Sequence, residues 1–135
     1  MRGLIALTLM LLSYAVGAEE WVILRQPPEF GPEIFVDSSS IDVFDTGLRR
    51  ATVKVDSLGR RRDFEKFAPK VISFWIMVKS YDCERRMTRL DSWDFHWIDG
   101  SVHSFDLPKN PKWDPAPENK LVDPTIDFVC GWKPK

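Results

Sequence analysis

Along most of the chain, apolar residues alternate with polar ones or form short apolar runs of strand length. "EWVIL", residues 20–24, reads as a first strand. "EIFVDSSSIDVFDTG" is a short apolar run ending in polar residues, a second strand followed by a turn. In "ATVKVDS", Ala51, Val53 and Val55 fall on one side and Thr52, Lys54 and Asp56 on the other, the period of a half-buried strand. "VISFWIMVKSYDC" differs, because it is apolar on both sides. Val71, Ser73, Trp75, Met77, Tyr81 and Cys83 share one face, and Ile72, Phe74, Ile76 and Val78 share the other. A central strand covered on both sides accounts for this, and its Trp, Phe, Ile and Val content favours a strand over a buried helix.

"LDSWDFHWIDGSVHSFDL" holds Asp99-Gly100 between two alternating segments. Asp-Gly suits a two-residue hairpin turn, because both of its central residues need positive φ. That turn predicts Ile98 opposite Ser101, Trp97 opposite Val102 and His96 opposite His103, with Trp93, Phe95 and Trp97 on one buried face. "DSLGRRRDFEKFAPK" lacks a strand period and reads as a charged connection with one helical turn. After Leu107 the prolines exclude a central strand. Asp123-Pro124 is a helix start and Gly131 a helix stop, with Ile126, Val129 and Cys130 on one side between them.

The first residues change the picture. Arg2, an apolar run from Leu4 to Leu12, and small Ala15, Gly17 and Ala18 have the layout of a secretory leader with cleavage after Ala18. The run is short for a transmembrane anchor. Removing 18 residues from the 135 leaves 117, residues 19–135, enough for one domain. Export makes a disulfide durable, and Cys83 and Cys130 are the only two cysteines. Pairing within the chain is expected, with buried free thiols or pairing between chains as alternatives. The bridge would tie the last helix onto the Trp75, Met77, Tyr81 face of the central strand. The expected fold class is thus α+β: an antiparallel β-sheet of about six strands, with a C-terminal helix tethered to one face by a disulfide. One short helix covers one face only, so Phe74, Ile76 and Val78 require either a sheet that curls over itself or a second subunit.

The formal charge of −1 demands neither nucleic acid nor an acidic membrane. Catalysis has little to stand on. There is no Gly-rich phosphate loop, no Gly-x-Ser-x-Gly elbow and no His-Glu-x-x-His pair, so no enzyme activity and no cofactor are expected. His96 opposite His103, with Asp94 on the same face, is the one constellation with metal-ligand chemistry, against the simpler reading of two ordinary histidines. Two basic clusters, Arg60, Arg61, Arg62 and Arg85, Arg86, Arg89, read as solvated faces or as docking points for an acidic protein segment or a sulfated glycan.

The chain also resembles the bacterial surface-adhesin protein E family. The matching residues are "IFVDSSSI" at 34–41, "VKVDS", "SYDCERRMTRL" around Cys83, and "NPKWDPAPENKLVDPTIDFVC" ending on Cys130. Trp21, Asp37, Ile41, Asp82, Cys83, Arg86 and Cys130 occupy the family's places. The resemblance implies an antiparallel sheet with a C-terminal helix held by the disulfide, dimers in some members, and binding of host matrix proteins such as vitronectin and laminin. This chain departs from a lipid-anchored adhesin in having no cysteine at the cleavage point, which favours a periplasmic or secreted protein over a surface-bound one. The functional expectation is an exported, non-catalytic binding module with a protein partner, either a host matrix protein or an envelope component. A periplasmic accessory protein with bacterial partners only is the alternative, and a metal-binding protein is a weaker third reading.

Overall fold

The structure, a computed structural model, describes residues 18–25, 32–45, 47–56, 72–120 and 122–134. Residues 1–17 of the expected leader, the charged connection after Asp56, and Arg60, Arg61 and Arg62 lie outside the described residues. Among the described residues, seven strands form one antiparallel sheet: β1 (Trp21–Arg25), β2 (Glu33–Asp45), β3 (Leu48–Asp56), β4 (Ile72–Asp82), β5 (Met87–Trp97), β6 (Val102–Ser104) and β7 (Asp114–Pro115). The first six lie in chain order, and β7 pairs with β5 on the same edge as β6. Among the described residues one helix, α1 (Thr125–Gly131), follows. The fold class expected from the sequence is the one observed.

Registers across the sheet separate two faces. Val36, Val53, Met77 and Trp93 stand in one cross-strand row, and Ile34, Val55, Trp75 and Phe95 in the next. These rows belong to the helix face, where Val36, Ala51, Val53, Tyr81, Ile126 and Val129 are buried. Phe35, Lys54, Ile76 and Asp94 form a row on the opposite side, the far face, beside Asp56, Phe74 and His96. No described helix or strand packs on that side. The two-sided apolar pattern of β4 is therefore real; among the described residues only its helix side packs against the buried core, where Tyr81 is buried and Trp75 and Met77 are half-buried.

A seven-residue helix cannot hold itself in water, since nucleation outweighs so few propagating bonds. Packing and a covalent tie hold α1 instead. Ile126 and Val129 are buried against β3 and β4, each contributing about 1.5–3 kcal/mol. Cys83, in the turn after β4, is joined to Cys130, with Cα atoms 5.7 Å apart across a separation of 47 residues. Closing such a loop in the unfolded chain is worth about 4 kcal/mol on the chain-entropy view. The Arg49 guanidinium donates to the Val129 carbonyl at 2.9 Å and to that of Trp132, neutralising the negative end of the helix. At the other end the Asp123 carboxylate accepts from the Thr125 backbone N–H at 3.0 Å and from its hydroxyl. Pro124 already has helical angles, so Asp123 caps as its sequence position predicts, although the helix itself is counted from Thr125.

Beneath the helix the polar groups are paired in a chain. The Tyr81 hydroxyl donates to Thr125 Oγ1 at 2.8 Å, and Lys79 Nζ donates to Asp123 Oδ2 at 2.7 Å. Burial pushes the Tyr81 phenol well above its ordinary pKa. Burial also works against the Asp123 carboxylate, but the Lys79 charge, with hydrogen bonds from Lys79 and Thr125, outweighs it and holds Asp123 below the usual carboxylate value.

Two sequence expectations are corrected. The serine run after Asp37 is not a turn that ends a strand; β2 continues through it to Asp45. Asp37 pairs with Thr52 and Asp42 with Arg50, so Ser38 through Ile41 bulge opposite a single residue of β3. The bulge is held by Asp37 Oδ1, which accepts from the backbone of Glu20 and Ser39, and by Ser40 Oγ, which accepts from Thr52 N–H at 2.8 Å. Its effect is to bury Ile41 in the core. The turn comes later, between Asp45 and Leu48, where Gly47 has φ +82° and an added Cβ would stand 2.8 Å from Glu84 Cγ. The second correction concerns the β5–β6 hairpin. Trp97 N–H donates to the Ser101 carbonyl, so the loop has three residues, Ile98, Asp99 and Gly100, with Gly100 at φ +86°. Asp99 bonds Ser101 N–H at 2.9 Å, which stabilises the longer loop.

Candidate functional site

The far face is built from β1 to β6 and falls into an aromatic end and a charged end. At the aromatic end Trp21 pairs with Asp37, Ile23 with Phe35, and Phe35 with Lys54. Lys54 Nζ lies 4.9 Å from the Trp21 ring centroid, 4.6 Å from Phe35 and 5.8 Å from Phe74. Three ring faces around one ammonium stabilise it by cation–π attraction and let its aliphatic stem cover apolar surface. The Phe74 ring stacks on His96 at 4.4 Å with an interplanar angle of 17°. Ile76 and Val78 continue the apolar row along β4, while Ile23 and Val102 at the margins are exposed.

At the other end the face becomes charged because β5 carries a second bulge. Val78 pairs with Ser92 but Lys79 with Leu90, so Asp91 is an extra residue in the strand. Its carboxylate joins two arginines that flank Ser80 across the sheet, Arg50 on β3 and Arg89 on β5. Arg89 Nε donates to Asp91 Oδ1 at 2.7 Å, and Arg50 Nε stands 3.3 Å from Asp91 Oδ2, within ion-pair reach but not aligned as a hydrogen bond. The Ser80 hydroxyl donates to Asp91 Oδ2, and Arg89 Nη2 donates to Ser80 Oγ at 3.4 Å. Each guanidinium also rests on an aromatic ring: Arg50 lies 5.0 Å from the centroid of Phe44, and Arg89 lies 4.9 Å from that of Trp113.

Two clefts meet at these arginines. A cleft of about 200 Å³ is bounded by Phe44, Leu48, Arg49, Arg50, Arg89 and Trp113, with no carboxylate in its lining. A wider one of about 700 Å³ lies between β5 and the segment after Phe105, with Ser92, Trp93, Asp94, Asp106 and Lys109 on its walls. Among the described residues, two buried side-chain nitrogens lack a hydrogen-bond partner, Arg50 Nε and Trp93 Nε1. Both belong to residues that line the wider cleft.

The sequence-predicted site residues are placed as follows. Cys83 and Cys130 form the staple. Arg85, Arg86 and Arg89 do not make one basic patch. Arg85, largely exposed, pairs with Asp82 in its own turn, and Arg86, at φ +52°, reaches Asp127 on α1 at 3.1 Å. Arg89 alone points to the far face. The expected pairing of His96 with His103 is overturned by the longer hairpin loop, which shifts register by one. His96 pairs with Val102, and His103 pairs with Phe95. The two imidazoles are therefore on opposite faces, His103 edge-on to Phe105 and His96 on Phe74 beside Asp94's side of the sheet. Among the described residues no group of three His, Cys, Asp or Glu side chains is placed to hold a metal ion.

No sequence pattern singles out Arg50, Asp91, Phe44 or Trp113. Arg50 and Asp91 are separated by two strand boundaries, and a bulge brings them together that leaves no composition signal. Compared with protein families, curated proteins and solved structures, the chain matches none.

Proposed function

We propose that the mature chain is an exported, non-catalytic binding module that contacts a protein partner through the far face of its sheet, as the resemblance to surface-adhesin protein E implies, with host matrix proteins as the partner class. One observation carries this reading. The helix face has its covering helix, its covalent tie and its paired buried polar groups, whereas the far face presents Trp21, Ile23, Phe35, Phe74, Ile76 and Arg50 with no described element over them. Aromatic residues and arginine are the types enriched where proteins meet. The disulfide fits an oxidising compartment, and among the described residues no helix is long and apolar enough to cross a membrane.

The test is a pull-down with the oxidised mature domain, from host-matrix and bacterial-envelope extracts in parallel, beside a far-face variant, Phe35→Glu. Recovery of a matrix protein by the natural domain and its loss in the variant supports the proposal. Partners from the envelope extract alone, with a domain protected from protease on whole cells, establish the periplasmic accessory reading instead. Equal recovery by the variant removes the far face as the contact.

A further inference from the structure

We infer that the charged end of the far face is a carboxylate-binding site for an acidic peptide segment, which seats one Asp or Glu side chain on Arg50 and Arg89 between Phe44 and Trp113. The inference rests on the reading of the chain as a protein-binding module and names the chemistry of its partner.

Charge comes first. Two guanidinium groups share one ion-paired carboxylate, Asp91, so the cluster of Arg50, Arg89 and Asp91 carries one positive charge in excess, beside Asp42, the register partner of Arg50. Arg50 meets Asp91 through Nε, its two terminal nitrogens donate to no acceptor among the described residues, and its side chain is 42% exposed. A planar guanidinium with both terminal N–H groups free matches a carboxylate in bidentate fashion. Shape comes second. The small cleft falls below the roughly 300–1,000 Å³ of a site for a whole drug-sized ligand, and has room for one side chain. Phe44, 58% exposed, and Trp113 give that side chain apolar walls and fix the arginines in place by stacking, so little entropy is lost when an anion arrives.

The sheet edge supplies room for the rest of the peptide. β7 takes Met87 and Thr88 of β5, and β6 takes Asp94 through His96. Between them Arg89, Asp91 and Ser92 of β5 line the wider cleft, and no described strand pairs with that stretch of its outer edge. An extended segment can cross there with its carboxylate on the arginines. Asp94 and Asp106 on the wider cleft repel a second acidic residue at that side, which sets a preference for one carboxylate followed by neutral or basic residues.

The probe is the blocked peptide acetyl-Gly-Glu-Phe-Lys-Gly-amide, titrated into the ¹⁵N-labelled oxidised domain. Shifts confined to the Arg50 and Arg89 Nε–H signals and the Trp113 indole N–H are expected. The analogue with glutamine for glutamate should bind at least about tenfold more weakly, the loss of one charge-assisted pair. Arg50→Gln should weaken binding by a similar factor, since Arg89 still neutralises Asp91; this variant is preferred to Arg89→Gln, which strips a half-buried carboxylate of its closer partner. Equal binding of the two peptides overturns the inference, as does a heparin oligosaccharide that displaces the glutamate peptide from the same signals with at least tenfold higher affinity. If the peptide binds while the pull-downs recover nothing, the site stands and the wider functional reading falls. If the pull-down partner is retained by Arg50→Gln, the wider reading stands and this site falls.

Discussion

The two faces of the sheet use similar residues for different ends. On the helix face, Val36, Val53, Tyr81, Ile126 and Val129 are excluded from water, and the Tyr81 hydroxyl, the Lys79 ammonium and the Asp123 carboxylate beneath α1 are paired, while Trp93 Nε1 farther along the face is buried without a partner among the described residues. On the far face, Phe35, Lys54, Phe74 and Ile76 are only partly withdrawn from water, and their polar groups rest on rings rather than in closed networks. Hydrophobic residues alone therefore do not identify a core. What marks this one is burial of its apolar residues together with a paired polar chain beneath the covering helix. The far face is apolar but only partly withdrawn from water, and no described element lies over it.

The largest break in the comparison comes from the disulfide. Replacing both cysteines, Cys83→Ala with Cys130→Ala, should lower unfolding free energy by about 4 kcal/mol, read by urea denaturation of the oxidised parent and the variant. The loss belongs to the helix face. Amide exchange should rise first in α1, while β2 to β4 keep most of their protection. Uniform loss across the sheet would mean that helix and sheet fold as one unit with no separable sealed face.

Next in size is the pair beneath the helix. Lys79→Met should cost about 2 kcal/mol near neutral pH, because it leaves the Asp123 carboxylate under the helix without its cation. The pH dependence follows from the direction of the shift. The folded-state pKa of Asp123 lies below its unfolded value of about 3.9, so its contribution is fully present above that value and is lost as pH falls through the lower, folded pKa. In Lys79→Met the acid limb of a stability curve should flatten. Tyr81 works in the opposite sense. Its folded pKa is raised, so stability is full below the ordinary value of 10.0 and declines as pH rises beyond it. Tyr81→Phe should flatten that alkaline decline, at a cost of about 1 kcal/mol at neutral pH for the lost bond to Thr125. Unchanged limbs in both variants would show that the buried network does not distinguish the helix face.

The sheet, the helix, the staple and the two-sided character of β4 were legible because they follow from period, from capping residues and from cysteine count. Asp123, Pro124 and Gly131 bracket the helix in the sequence much as they do in space. What was not legible lies at positions where the strand period breaks. Asp-Gly at 99 and 100 fits either a two- or a three-residue loop. The hydrogen bond from Trp97 to Ser101 decides for three, and that single residue moves His103 to the other face. In "DSSSI" four residues fit opposite one through side-chain bonds to Asp37, a solution that local polarity disguises as a turn. The candidate site was hidden for the same reason. Arg50, Asp91, Phe44 and Trp113 meet through a bulge in β5 and through the edge pairing of β7, and neither has a pattern of its own.

The smallest effect gives the sharpest comparison, because one substitution can be made on each face with nearly the same shape. Val53 and Val78 stand on neighbouring strands, Val53 opposite Met77 on the helix face and Val78 opposite Thr52 on the far face. Replacing valine by threonine keeps the branched outline and adds a hydroxyl. At Val53, 1% exposed among apolar neighbours, that hydroxyl finds no water, and about 1–3 kcal/mol should be lost. At Val78, only partly buried, water can reach the new group, and the cost should fall below about 0.5 kcal/mol. The difference between the two urea midpoints, at unchanged slope, measures how dry each face is in the isolated protein. If Val78→Thr costs as much as Val53→Thr, the far face is sealed in solution. Repeating the pair across a range of protein concentrations then identifies the seal: a Val78→Thr penalty that grows with concentration places a second copy of the chain over that face, and a constant penalty places a segment of the same chain there.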